Sequence, residues 1–193
     1  MSFEPYQEWL KNEWNLSIPL SGANEDVTYD PQRVSIPPSQ QVGLKEHSQI
    51  GKIQADHSTV SLIQAMRRNK DQFTGKSAWE IGSGSGLVAV EAGLLGASRI
   101  AASDVDREAI QLGHQNAIQH DLKIDTACSD LFSEIPWEGP FDNLLSILPQ
   151  KPCQPGKLPL ANDGGPDGTK LLLPVIEQAR NWMEPTGNLF LFL

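Results

Sequence analysis

At 193 residues the chain has one domain's length and enough material for a real core. Its hydrophobic content of 39% includes no apolar run near the roughly 18 residues of a membrane helix, and its net charge of −9, from 24 acidic against 15 basic residues, disfavours a broad nucleic-acid footprint. Cys128 and Cys153 have neither CxxC spacing nor a nearby histidine pair, so neither a zinc site nor a disulfide framework is expected, and a reducing cytoplasm is the default compartment.

The first elements differ from the rest. Residues 1–50 read as a loop-rich N-terminal extension carrying one short helix. "FEPYQEWLKNEW" places Tyr6, Leu10 and Trp14 on one helical face, and "MSFEPYQEWLKNEWNLS" has acidic residues and no apolar stretch, so no secretory signal is expected. "YDPQRVSIPPSQQVG" is rich in proline and polar residues and reads as an extended connection. From Asp56 to Arg68, Val60, Leu62, Ile63 and Met66 recur at helical spacing, and Arg67, Arg68 and Lys70 complement that helix's C-terminal dipole.

A strand–helix rhythm then fills residues 51–193, the main domain. "SAWEI" is a buried strand, and "LVAVEAGLLG" a helix that Gly96 ends. "SRIAAS" is the next strand, and "DREAIQLGHQNAIQH" a helix that Asp106 caps. "KIDTACSD" and "FDNLLSIL" are strands, followed by a proline-rich loop from Pro149 to Gly168. "TKLLLPVIEQARNWM" is a helix in which Pro174 marks either a kink or the true first turn, and "GNLFLFL" is a last strand. This alternation predicts an α/β fold, a doubly wound, mostly parallel sheet with helices on both faces.

The chemistry concentrates after the first strand. "WEIGSGSGLVAVEAGLLGASRIAASDVD" puts Gly82, Gly84 and Gly86 between a strand and a helix, where open parallel sheets bind ligands. A dinucleotide fingerprint would want a small residue at Leu87, so the pattern is instead Glu80, Gly82, Gly84, Gly86. Asp104 closes the second strand and Asp130 follows the third. Singly, a glycine loop is more often a tight turn, and either aspartate could simply cap a helix or start a turn. A carboxylate suits a diol or an exocyclic amine because it accepts two donors at once.

This arrangement resembles the first motif of class I S-adenosylmethionine-dependent methyltransferases. The resemblance implies a Rossmann-like sheet and S-adenosyl-L-methionine as cofactor, with S-adenosyl-L-homocysteine as product. It places Gly82, Ser83, Gly84 and Gly86 under the methionine moiety and Glu80 at its amino-acid end. It puts Asp104, with Asp106 as second choice, on the ribose beside Val105, and Asp130 with Leu131 at adenine. "IGSGSGLVAVEAGLLGASRIAASDVDREAIQLGHQNA" resembles the ribosomal-protein lysine methyltransferases, in which a Gly-Thr-Gly-x-His-x-Thr-Thr segment lines the donor site. Its counterpart here is Gly51 with His57, Ser58 and Thr59; the plainer reading makes His57 a helix-start residue and Thr59 a surface one.

"SDLFSEIPWEGPFDNLLSILP" and "GGPDGTKLLLPVIEQA" resemble the release-factor glutamine methyltransferases. That group carries Asn-Pro-Pro-Tyr where this chain has Ile147, Leu148, Pro149 and Gln150. Pro149, Gln150 and Lys151 are the catalytic-side candidates, with Asp163 and Asp167 on the same loop, and Cys153 would be a nucleophile only with a lowered pKa. No metal is expected. The function expected is methyl transfer to a nitrogen nucleophile of a protein or small molecule, with nucleic acid and membrane disfavoured. The alternatives are non-methylating chemistry on the donor, or a non-catalytic binding module. The family sheet has seven strands, and Leu193 falls inside the fifth, leaving an apolar edge. A piece of a longer enzyme, cover from the N-terminal residues, or a homodimer through that strand each accounts for it.

Overall fold

The computed structural model describes residues 38–45 and 55–192. The expected helix over Phe3 to Trp14, Gly51 and Leu193 lie outside the described residues. Five strands, β1 (Ser77–Ile81), β2 (Arg99–Asp104), β3 (Asp125–Cys128), β4 (Phe141–Ile147) and β5 (Met183–Phe192), form one sheet. Their order is β3-β2-β1-β4-β5, and every pair is parallel. The helices are α1 (Pro38–Gln41), α2 (His57–Arg68), α3 (Leu87–Leu94), α4 (Arg107–Gln119) and α5 (Leu172–Ala179). Among the described residues no helix is long and apolar enough to cross a membrane.

Strand order reverses at β1. The chain walks outward from β1 through β2 to β3, then returns to β4 and walks the other way to β5. Right-handed crossovers therefore put α3 and α4 on one face and α5 on the other. Side chains alternate along β1, so Ala78 and Trp79 serve different faces. On the first face Ala78, Ile100, Ala102 and Leu145 pack under α2, α3 and α4, where Ile63, Met66 and Val90 are fully buried. Each such aliphatic side chain contributes about 1.5–3 kcal/mol by leaving water.

The second face is aromatic. Trp79 stands edge-on to Phe132, Trp137 and Trp182 at centroid distances of 5.3, 5.5 and 5.2 Å, and tilts against Phe141 at 5.6 Å. Phe132 and Trp137 come from the connection between β3 and β4, which contains no helix. Their rings cover the sheet there.

Three element readings need correction. Residues 38–43, expected as part of an unpacked extended connection, form the turn α1 and then bury Val42 in the core, with Leu44 following it there. Arg67 holds them: its Nη2 donates to the Val42 carbonyl at 2.7 Å and its guanidinium grips both oxygens of buried Glu91 at 2.8 Å. Arg67 is thus a tie between elements as well as a last-turn cation. The helix expected over 169–183 is confined to Leu172–Ala179. The Asp167 carboxylate binds the Thr169 amide at one end, and the Trp182 carbonyl accepts from Phe141 N at 2.7 Å at the other. Pro174 sits in the first turn. The last strand accordingly begins at Met183 and tolerates Pro185, which falls where the β4–β5 register shifts between the Phe141–Met183 and Asn143–Asn188 pairs and so owes no ladder hydrogen bond.

Candidate functional site

The strand order reverses between β1 and β4, so the loop after β1 and the segment 148–171 after β4 border the position where such sheets bind ligands. The first loop is a tied turn. Ser83 N donates to the Ser103 carbonyl at 2.9 Å, Gly84 N to Asp104 Oδ2 at 2.8 Å, and Gly86 N to the Ser83 carbonyl at 2.7 Å. Gly82 and Gly86 have φ of 69° and 72°, a region other residues reach only with strain. Their surroundings differ. A Cβ on Gly86 would lie 2.6 Å from the Cα of Gly113 on α4, whereas one on Gly82 would meet nothing within 4 Å. Gly86 thus serves close packing against α4, and Gly82 leaves a side of the loop open.

Glu80 has a role the sequence did not signal. Gly86 precedes α3 without a capping side chain, and the buried Glu80 reaches from β1 to accept the Ala89 amide at 2.8 Å. It is a cap supplied by the neighbouring strand, at the helix end that favours a negative group. Burial nevertheless pushes its pKa well above the usual glutamate range; the Ala89 N–H opposes this and nearby Asp104 adds to it.

Asp104 binds Gly84 N through Oδ2 and Asp106 N through Oδ1, at 2.8 and 2.9 Å. One acceptor position remains on each oxygen. Asp106, the second choice for that role, caps α4 by accepting Glu108 N at 2.8 Å. Val105 is half exposed. The Ser129 amide donates to the Asp104 carbonyl at 2.9 Å, fastening the end of β3 beside β2. Asp130 is exposed next to it, and Leu131 adopts a φ of 51°. Thr59 closes a capping box with Asp56 at the start of α2 and is buried, while His57 is exposed and Ser58 half-buried. Ser83 Oγ is buried with no hydrogen-bond partner among the described residues.

The second loop is organised by Asp163. Its Oδ1 accepts the Cys153 thiol at 3.1 Å and Gly165 N at 2.9 Å, and its Oδ2 pairs with Lys170 at 3.0 Å. These donors, the thiol first, lower the Asp163 pKa to about 2. The same bond raises the pKa of Cys153, the opposite of the lowering a nucleophilic thiol needs. Gly164 and Gly168 pack on the Gln150 backbone, where an added Cβ would meet it at 2.6 and 2.7 Å. Gln150 Nε2 donates to the Phe192 carbonyl at 3.3 Å, and Lys151 is exposed. Pro149, Gln150 and Lys151 therefore sit on a braced loop, and exposed Asp167 accepts the Thr169 amide and hydroxyl through Oδ1.

Two contributors on α4 escaped the sequence reading, Gly113 and Asn116. Asn116 is fully buried, and its Nδ2 donates to the Ser85 carbonyl at 2.7 Å. The available signal was a glycine inside an amphipathic helix, which marks a close approach.

The family described as ribosomal protein L11 methyltransferase matches residues 55–146. That span covers α2 to β4, including the glycine loop, and ends before Pro149. Over 74 residues the chain is 39% identical to the ribosomal protein L11 methyltransferase of Thermotoga maritima, an overlap of 38% of this chain and 27% of that protein. It is 30% identical over 125 residues, 62% of each chain, to a protein of Methanocaldococcus jannaschii provisionally named a protein N5-glutamine methyltransferase. The chain thus spans about a quarter of the first of these relatives. A T. thermophilus 16S rRNA methyltransferase, solved in complex with AdoMet and guanosine, has the same fold, with a TM-score of 0.54 at 18% identity over 72% of this chain and 34% of that one.

Proposed function

We propose that this chain, a Rossmann-like α/β domain with the class I S-adenosylmethionine-dependent methyltransferase fold and a sequence resembling the ribosomal-protein methyltransferases, binds S-adenosylmethionine and directs its methyl group to a nitrogen nucleophile, on a protein or a small molecule. The observation that carries the reading is the convergence of Glu80, the Gly82–Gly86 loop, Asp104 and Asp130 at the ends of β1, β2 and β3, which are neighbours in the sheet.

The residues suit that cofactor. Asp104 keeps one acceptor position on each oxygen, the number a ribose diol requires. Exposed Asp130 offers an acceptor to an exocyclic amine, and half-exposed Val105 an apolar wall to a base. Ser83 Oγ has hydrogen-bonding capacity unspent in the free chain, and Gly82 leaves open space beside it. When bound, S-adenosylmethionine supplies an electrophilic methyl on a cationic sulfonium, which suits a donor side carrying the carboxylates of Asp104 and Asp130. The chain's own contribution is to hold donor and acceptor in line, and proximity with orientation accounts for much of such a rate enhancement. The acceptor approaches Pro149, Gln150 and Lys151, on the braced loop. We assign the reaction to a reducing cytoplasm, consistent with free Cys128 and Cys153.

The test is transfer of a labelled methyl group from S-adenosylmethionine to purified ribosomal proteins, glutamine-containing peptides and small amines. Label in an acceptor, lost in Asp104→Ala, is expected. Intact donor with every acceptor contradicts methyl transfer, and a cleaved or cyclised donor without a methylated product points to the non-methylating alternative.

A further inference from the structure

The donor loop is held from two directions. On the sheet side, the Ser103 carbonyl and the Asp104 carboxylate take the amides of Ser83 and Gly84. On the helix side, α4 touches the loop through Gly113, where a Cβ on Gly86 would come within 2.6 Å of the Cα, and through Asn116, whose amide binds the Ser85 carbonyl at 2.7 Å. Asn116 lies one turn of helix beyond Gly113, so both project onto the same stretch of loop. Asn116 is fully buried, and a buried polar side chain there needs a reason. One partner it finds there is the backbone carbonyl of buried Ser85.

We infer that Asn116, with Gly113, is a positioning residue for the donor: it acts through the Ser85 carbonyl and the Gly86 backbone to fix the path of the Gly82–Gly86 loop. This rests on the proposed donor site and goes beyond it, because neither residue needs to touch the donor. Asn116 and Asp104 flank one connected unit, the end of β2 and the body of α4, so the loop and the ribose-binding carboxylate are registered to each other by the same helix. A donor spanning both requires that register.

The experiment compares wild type, Asn116→Ala, Asn116→Asp and Gly113→Leu by calorimetry with S-adenosylhomocysteine, well below each variant's melting temperature. It also follows amide hydrogen exchange at Ser83 to Gly86. Asn116→Ala is expected to bind at least tenfold more weakly and to exchange the Gly84 and Gly86 amides at least tenfold faster, with cooperative unfolding retained. Asn116→Asp cannot donate when ionised, so its affinity is expected to recover as pH falls and the carboxyl regains a proton to offer Ser85. Gly113→Leu, which leaves Asn116 intact and pushes on Gly86, is expected to weaken binding similarly, and decides the matter if Asn116→Ala does not fold. Wild-type binding that persists within twofold in the folded variants, with unchanged exchange, overturns this inference alone. Absence of binding by wild type overturns the donor reading beneath it.

Discussion

Three glycines around one loop contact respond differently to the same added methyl group. At Gly86 an alanine must adopt a φ of 72° and place its Cβ 2.6 Å from the Gly113 Cα. The left-handed conformation costs about 1–2 kcal/mol and the backbone clash about 1–3 more, for a total of about 2–5 kcal/mol. At Gly82 the φ is 69° and the new Cβ meets nothing within 4 Å, so only the conformational cost of about 1–2 kcal/mol applies. At Gly113 the Cβ sits 3.5 Å from the Gly86 Cα, an ordinary contact, and helix propensity favours alanine by about 1 kcal/mol.

Thermal melts therefore rank Gly113→Ala at or above wild type, Gly82→Ala slightly below and Gly86→Ala lowest, with about 2–4 °C for each kcal/mol in a chain of this size. Donor affinity follows a different ranking. Gly82→Ala fills the open side of the loop and is expected to lose binding at least tenfold despite its mild effect on stability, whereas Gly113→Ala binds like wild type. Gly86→Ala no less stable than Gly82→Ala, or Gly82→Ala binding normally, would refute the assignment of one glycine to packing and the other to the ligand.

Other expectations concern charge and strain. Glu80 is protonated more readily in the folded chain than in the unfolded one, so wild-type stability without donor falls as pH rises above the ordinary glutamate value of 4.5. Glu80→Gln, which can still accept the Ala89 amide, should flatten that slope in denaturant titrations; an unchanged slope counts against it. Asp163 has the opposite sign: its contribution is full above the ordinary value of 3.8 and lost as pH falls toward about 2. Asp163→Asn should weaken that acid limb and speed Cys153 alkylation at pH 8, because the thiol loses the acceptor that raises its pKa. Leu131→Gly should relieve the φ of 51° and stabilise the fold by about 1 kcal/mol, while loosening the loop beside Asp130 and weakening donor binding; a lower melting temperature contradicts the strain argument.

Where local signals and tertiary packing agree, the elements were legible in the chain. β1, α3, β2 and α4 fall where the apolar pattern, Gly96 at a φ of 94° and the Asp106 cap put them. Where a distant partner decides, they were not. The end of α5 depends on the Trp182 carbonyl being taken by Phe141 and on the aromatic cluster around Trp79. The packing of Val42 and Leu44 depends on Arg67, whose local reading was a dipole complement. The donor side of the site shows the same division. The acidic strand ends and the glycines could be read because each follows its own strand, but the cap that Glu80 supplies and the grip of Asn116 are contacts between elements. The loop after β4 was opaque for that reason: Gly164 and Gly168 brace Gln150, and Asp163 gathers Cys153, Gly165 and Lys170, none of them adjacent to Pro149.

The central claim is that the ends of β1, β2 and β3 together hold an adenosyl-methionine donor. Calorimetric titration of the chain with S-adenosylhomocysteine, beside Asp104→Ala, tests it most directly. Saturable binding at one site per chain, lost in the variant, is the predicted result; heats indistinguishable from dilution for folded wild-type protein would contradict the account.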